Sequence, residues 1–388
     1  MSDKARHEFL YKVFAPMLRP AFRLMFNYRH PIVKDVEGPY IVLANHNMEL
    51  DPLLLACAFP KHMYFVASEH ILRKGIGSKL VMFIAKPIIR MKGKVEVKTV
   101  AEILRTVRGG TNVCIFAEGA RSFNGQTRTI LPSTGKLVKR SGASLITYRL
   151  EGGYFTQPRW STTLRKGKIQ GIVAGVYTPD MLKAMSEEEV NAIIDKDLWE
   201  DAYVTQAENP IPFKGKHLAL GMESTLYMCP SCKQVGTLHS TDTSISCSCG
   251  LSYAYTPYGE LVDSNQNKMT ITQWDLWQQK ELTALFEDRQ KTLSAEPFFS
   301  DEVTLFDINH EHQIEKETKG TLTAYLDRID VCGHTFYYEE MLGLDIFSRN
   351  FMVMNYGQDA HHYEMKGDLM LNALKYMYLY QLAKGENI

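Results

Sequence analysis

A layered α/β domain with a central, mostly parallel sheet, followed by a small cysteine-clasped module and a β-rich C-terminal domain, is the fold class that these 388 residues predict. Three observations carry it. Between residues 40 and 176 short apolar runs alternate with amphipathic stretches, the pattern of strands and crossover helices packed in layers. Four cysteines, Cys229, Cys232, Cys247 and Cys249, fall in two tight pairs. From residue 302 onward seven short strand-like runs succeed one another, and a helical run over 369–382 closes the chain.

Taken in order, residues 7–30 combine large apolar side chains (Phe9, Val13, Phe14, Leu18, Phe22, Phe26) with Lys12, Arg19, Arg23 and Arg29. This composition suits a helix lying in a bilayer interface, and equally one packing on the protein's own core. Pro16 and Pro20 are expected to bend or break it. Residues 40–44 (YIVLA) read as a buried strand, and 52–56 as the start of a helix with Asp51 at the cap and Pro52 in the first turn. His46 and Asp51 therefore sit where a strand hands over to a helix, the edge at which α/β proteins bind ligands. A neutral imidazole there can take a proton from a hydroxyl, and a carboxylate on its other nitrogen would set the tautomer.

A strand over 61–67 precedes segment 70–95, which carries Arg73, Lys74, Lys79, Lys86, Arg90, Lys92 and Lys94 with no acidic residue. A helix leading into a strand at 88–89 is expected there. A helix over 98–108 and a continuous apolar strand over 111–117 follow, the latter running straight into Glu118-Gly119-Ala120-Arg121-Ser122. Helix 135–141, strand 144–150 and an acidic surface helix over 180–203 complete the first half.

Charge divides the chain. Residues 1–172 hold 28 Lys and Arg against 11 Asp and Glu, whereas the whole chain holds 44 of each. A basic front half implies an anionic partner. No run of eighteen uncharged apolar residues marks a spanning helix, and the N-terminus lacks the apolar core of a cleavable signal. The seven cysteines suit a reducing compartment. Serine-esterase, P-loop and dinucleotide chemistries lack their G-x-S-x-G, Walker and G-x-G-x-x-G patterns. The basic segments lack interleaved stacking aromatics in a recognisable module, so no nucleic-acid partner is expected.

His46-x4-Asp51 after a strand, Pro87-Ile88-Ile89-Arg90, and Phe116-Ala117-Glu118-Gly119-Ala120-Arg121-Ser122 together resemble the glycerolipid acyltransferase family, whose best-known members are the bacterial 1-acylglycerol-3-phosphate acyltransferases. The resemblance covers roughly residues 30–180. It implies His46 as general base and Asp51 as its orienter. Arg90, Glu118, Gly119 and Arg121 would form the acceptor site, with the two arginines on phosphate oxygens. The donor would be an acyl thioester of coenzyme A or of acyl-carrier protein, and the acceptor a lysophospholipid. Glu49 stands where the family commonly carries a serine or similar small residue, and Ala117 and Ala120 replace its proline and threonine.

In the second half, CxxC at Cys229 and Cys232 and CxC at Cys247 and Cys249 have the spacing of a zinc ribbon, in which four thiolates close a structural site. Residues 270–292 read as a connecting helix with Trp274 and Trp277. The strands after 302 with their closing helix resemble a pleckstrin-homology-like (PH-like) domain. His310, His312, His334, His361 and His362 lie along them, a weak metal signal. The expected domains are an anchor at 1–30, an acyltransferase domain at 31–222, the ribbon at 223–260, the connecting helix at 265–295 and the PH-like domain at 300–388. The expectation is a cytoplasmic enzyme, peripheral on the inner face of the membrane. The competing expectation is a non-catalytic lipid-surface adaptor built on a degenerate acyltransferase domain.

Overall fold

The computed structural model describes residues 3–73, 76–90, 97–309, 313–368, 371–386 and 388. Lys74, Lys92, Lys94, His310, His312 and the 369–370 start of the last predicted helix lie outside them, as does the side chain of Arg73. The chain divides into two compact units, the first formed by residues 1–91, 95–158 and 164–215, the second by 92–94, 159–163 and 216–388.

The first unit opens with α1 (Asp3–Phe26), then β1 (Tyr40–Ala44), α2 (Asp51–Ala58), β2 (Met63–Ser68), α3 (Ile76–Ile84), β3 (Ile88–Arg90), α4 (Val97–Arg108) and β4 (Asn112–Phe116). It continues with α5 (Ser133–Ser141), β5 (Ser144–Glu151), α6 (Gly153–Thr156), β6 (Gln170–Tyr177), α7 (Pro179–Ala184), α8 (Glu187–Leu198) and α9 (Ala202–Glu208). Its six strands lie in the order β3-β2-β4-β1-β5-β6, parallel except for β6. All five residues of β1 are buried because the strand is covered on both faces. Tyr40, Val42 and Ala44 pack with Phe22 and Phe26 of α1 and Leu54 and Leu55 of α2. Ile41 and Leu43 point the other way, into Ile103 and Val107 of α4, Val138 of α5 and Ile194 of α8.

Two expectations change here. α1 runs unbroken through Pro16 and Pro20. Both prolines lie on its exposed face, where water can satisfy the carbonyls they leave without an amide partner. The acidic segment expected as one helix over 180–203 is three, α7, α8 and α9, with Thr178, Ser186 and Asp201 each capping a new start.

In the second unit, β7 (Leu238–Ser240), β8 (Ser244–Cys247), β9 (Ser252–Tyr255), β10 (Leu261–Val262) and β11 (Lys268–Met269) form an antiparallel sheet beside the cysteine cluster. α10 (Ile271–Thr292) is started by a capping box between Thr270 and Gln273. It is tied back to the cysteine module by Trp274 Nε1, which donates to the Met228 carbonyl at 2.8 Å. The C-terminal strands β12 (Phe299–Ile308), β13 (Ile314–Ala324), β14 (Arg328–Val331), β15 (His334–Tyr337), β16 (Met341–Ser348), β17 (Phe351–Tyr356) and β18 (His361–Gly367) form one antiparallel sheet, ordered β15-β14-β13-β12-β18-β17-β16. α11 (Ala373–Ala383) follows, capped by Asn372. His361 and His362 pair with Asp307 and with Asn355 and Glu364, as satisfied histidines do rather than open metal ligands.

Candidate active site

The parallel pairing of β1 with β4 sets Ala44 opposite Phe116, so the loops leaving their carboxyl ends run side by side. These loops carry His46 and Glu118. The His46 carbonyl accepts the Ser122 amide at 2.9 Å, and the Ala44 carbonyl accepts that of Ala117 at 3.2 Å. The imidazole stacks on Phe116 with ring centroids 4.3 Å apart.

His46 Nδ1 lies 2.8 Å from Asp51 Oδ2. An ionised carboxylate can only accept, so Nδ1 carries the proton and the basic lone pair falls on Nε2. Asp51 is fully buried and is the first residue of α2, with Leu50 in the capping position. The cap that the sequence led us to expect from Asp51 is therefore not formed. Its Oδ2 turns back and accepts the amides of Asn47 at 2.7 Å and Met48 at 2.9 Å. One oxygen thus holds the loop and the imidazole together.

Glu118 lies buried behind this loop. Its Oε1 accepts the His46 amide at 2.6 Å and its Oε2 the Arg128 amide at 2.7 Å. Burial pushes its carboxyl up to about 8, with the two amides opposing. Both oxygens are thus engaged by backbone amides, and the side chain fastens the two loops together. Gly119 follows at φ +71°, and a Cβ there would stand 2.9 Å from Arg90 Nη2. The guanidinium of Arg90, at the end of β3, rests directly on this bare turn. Arg121 Nη2 lies 3.4 Å from Glu49 Oε1, the guanidinium side chain 14% exposed and the carboxylate side chain 64%. Burial lowers the Arg121 pKa, and Glu49 opposes that shift. His46, Asp51, Arg90, Glu118, Gly119 and Arg121 are thereby brought to one edge of the sheet.

Sequence reasoning missed Asn45, Asn47 and Glu200. Glu200 Oε2 accepts the side-chain amides of Asn45 at 2.8 Å and Asn47 at 2.6 Å, and both amides also donate to the Leu150 carbonyl. Asn45 Oδ1 accepts the Leu150 amide in return. Burial pushes Glu200 up to about 8 as well. The two asparagines flanking His46 were the available signal, since buried amides need several partners each. A cavity of roughly 670 Å³ lies beyond the carboxyl end of β5, between Gly152, Phe155, Lys168 and Phe213, and His46 is not among its walls.

In the second unit the sulfurs of Cys229 and Cys249 stand 3.7 Å apart and those of Cys232 and Cys247 3.8 Å, all four within 4.8 Å of one another. Such separations are far too long for disulfides. They equal the edge of a tetrahedron, about 3.8 Å, that metal–sulfur bonds of about 2.3 Å would span. The residues present fit a tetrathiolate metal.

Residues 25–151, the stretch that holds β1 to β5 and the histidine site, match the acyltransferase family. Among known proteins, the 1-acyl-sn-glycerol-3-phosphate acyltransferase of Borreliella burgdorferi is 27% identical over 111 residues, which are 27% of this chain and 43% of that protein. The chain thus spans less than half the length of this curated relative. The crystal structure of the 1-acyl-sn-glycerophosphate acyltransferase of Thermotoga maritima superposes with a TM-score of 0.44 at 20% identity, covering 54% of this chain and 83% of that one.

Proposed function

We propose that this protein is an O-acyltransferase that moves a fatty acyl group from an acyl thioester, of coenzyme A or acyl-carrier protein, to the hydroxyl of a lysophospholipid such as 1-acylglycerol-3-phosphate. The observation that carries the reading is the 2.8 Å contact between His46 Nδ1 and buried Asp51, which sets Nε2 as the base. The acceptor hydroxyl gives its proton to Nε2 as its oxygen attacks the thioester carbonyl. The new C–O bond forms, the C–S bond breaks, and the proton passes to the departing sulfur. Asp51 steadies the imidazolium meanwhile. Arg90 and Arg121 hold the acceptor's phosphate, and Gly119 leaves room for the Arg90 guanidinium.

The four cysteines would hold one structural zinc, and the C-terminal sheet with α11 would be a PH-like accessory domain. The working place is the membrane surface, on the cytoplasmic face. No helix among the described residues is long and apolar enough to cross a membrane. α1 exposes Phe9, Phe14, Met17 and Leu24 while burying Ala15, Phe22 and Phe26, so one face serves the core and the other is available to lipid. Thioester consumption over a panel of lysolipids tests the reading. His46→Ala should slow it about a thousandfold, and Asp51→Asn, through the wrong tautomer, by a comparable factor. Near-normal turnover in His46→Ala would overturn it.

A further inference from the structure

The acidic side chains around His46 divide into two kinds. Asp51, Glu118 and Glu200 are buried and engaged with backbone amides or side-chain amides. Glu49, within the same loop, is mostly exposed and stands 3.4 Å from Arg121. Its backbone is held independently, the Glu49 amide donating to Gln157 Oε1 at 3.0 Å. The side chain is therefore not needed to anchor the loop. It does change the charge that an incoming phosphate meets.

Arg90 rests on the Gly119 turn and Arg121 lies two residues beyond it, and both Glu49 and buried Asp51 act on the Arg121 charge. The positive charge left for an incoming phosphate is thereby reduced, which suits a singly charged phosphodiester. A phosphomonoester carries roughly −1.5 to −2 at neutral pH and would need both guanidiniums uncompensated. An amine beyond a phosphodiester would in addition meet the Glu49 carboxylate, which is accessible. We infer that Glu49 selects the acceptor, favouring lysophospholipids whose phosphate is esterified to a cationic amine headgroup over those ending in a free phosphate. This rests on the acyl-transfer reading and names the acceptor class within it.

The experiment uses the full chain with one acyl thioester donor, and lysophosphatidylethanolamine and lysophosphatidate presented in the same neutral detergent micelles. Taking the ratio of kcat/KM for the two acceptors cancels effects on the donor and on overall competence. The wild-type ratio should favour the amine diester. Glu49→Gln should move it about tenfold toward the phosphomonoester, and Glu49→Asp should keep the wild-type preference. Turnover with a ratio that Glu49→Gln leaves unchanged, or a wild type that prefers the phosphomonoester, overturns the inference and leaves acyl transfer standing. No turnover with either acceptor overturns both.

Discussion

Glu118 and His46 stand 72 residues apart in the chain, yet Glu118 Oε1 accepts the His46 backbone amide at 2.6 Å. The contact exists because β1 and β4 are parallel neighbours in register, with Ala44 opposite Phe116. A carboxylate from one crossover loop therefore fixes the backbone that carries the base in the other. Glu118 thereby holds the backbone of His46, and four further features of the structure can be tested.

Glu200 is the first. A carboxyl raised from 4.5 to about 8 on folding keeps a proton that the unfolded chain releases between those values. Its contribution to stability is then fully present below pH about 4.5 and lost as pH rises through about 8. Oε1 of Glu200 has no hydrogen-bond partner among the described residues, whereas Oε2 takes both asparagine amides. Glu200→Gln can therefore keep those bonds with its oxygen and place its amide at the unpartnered position. Thermal unfolding should show this variant gaining on the wild type from pH 5 to pH 8. A difference between the two that does not vary with pH would refute this.

Gly119 is the second. A side chain there meets both a left-handed backbone, φ +71°, and the Arg90 guanidinium. The backbone term alone costs about 1–2 kcal/mol in Gly119→Ala. Displacing Arg90 should raise the acceptor KM about tenfold while affecting kcat less. Steady-state kinetics with varied acceptor would show whether the split is as expected.

The cysteine cluster is the third. Freshly purified protein should contain one zinc ion bound by Cys229, Cys232, Cys247 and Cys249. Cys232→Ser should lower the metal content and destabilise the second unit, since a small ribbon draws much of its folding energy from the metal. Elemental analysis together with thermal unfolding would decide it, and metal-free wild type would refute it.

The exposed face of α1 is the fourth. Phe14→Ser with Met17→Ser should weaken binding to anionic vesicles and leave the melting temperature within a few degrees, because both side chains face outward. Removing the helix altogether would be a poor test. Tyr11 OH donates to the Phe59 carbonyl and Arg19 Nε to that of Cys57, so the helix is also part of the unit's packing. Vesicle sedimentation of the double variant at low and high salt separates apolar insertion from charge attraction.

Much of this protein was legible along the chain because local physics sets it. Alternation of apolar runs marked β1, β2, β4 and β5 near their final bounds. His46 and Asp51 share one loop, and the cysteines come in pairs two or three residues apart, so their meeting needs only a turn. The tertiary structure decided what depends on register and on distant partners. Asn45 and Glu200 are 155 residues apart, and no local pattern reveals that a carboxylate will fill the space beneath two asparagines. The prolines of α1 were a breaking signal until the fold placed them on the solvent side. Whether Glu49 faced water or Arg121 was likewise undetermined by its neighbours. Spacing specifies short-range geometry, whereas burial, and with it the charge of a carboxyl, is a property of everything packed around it.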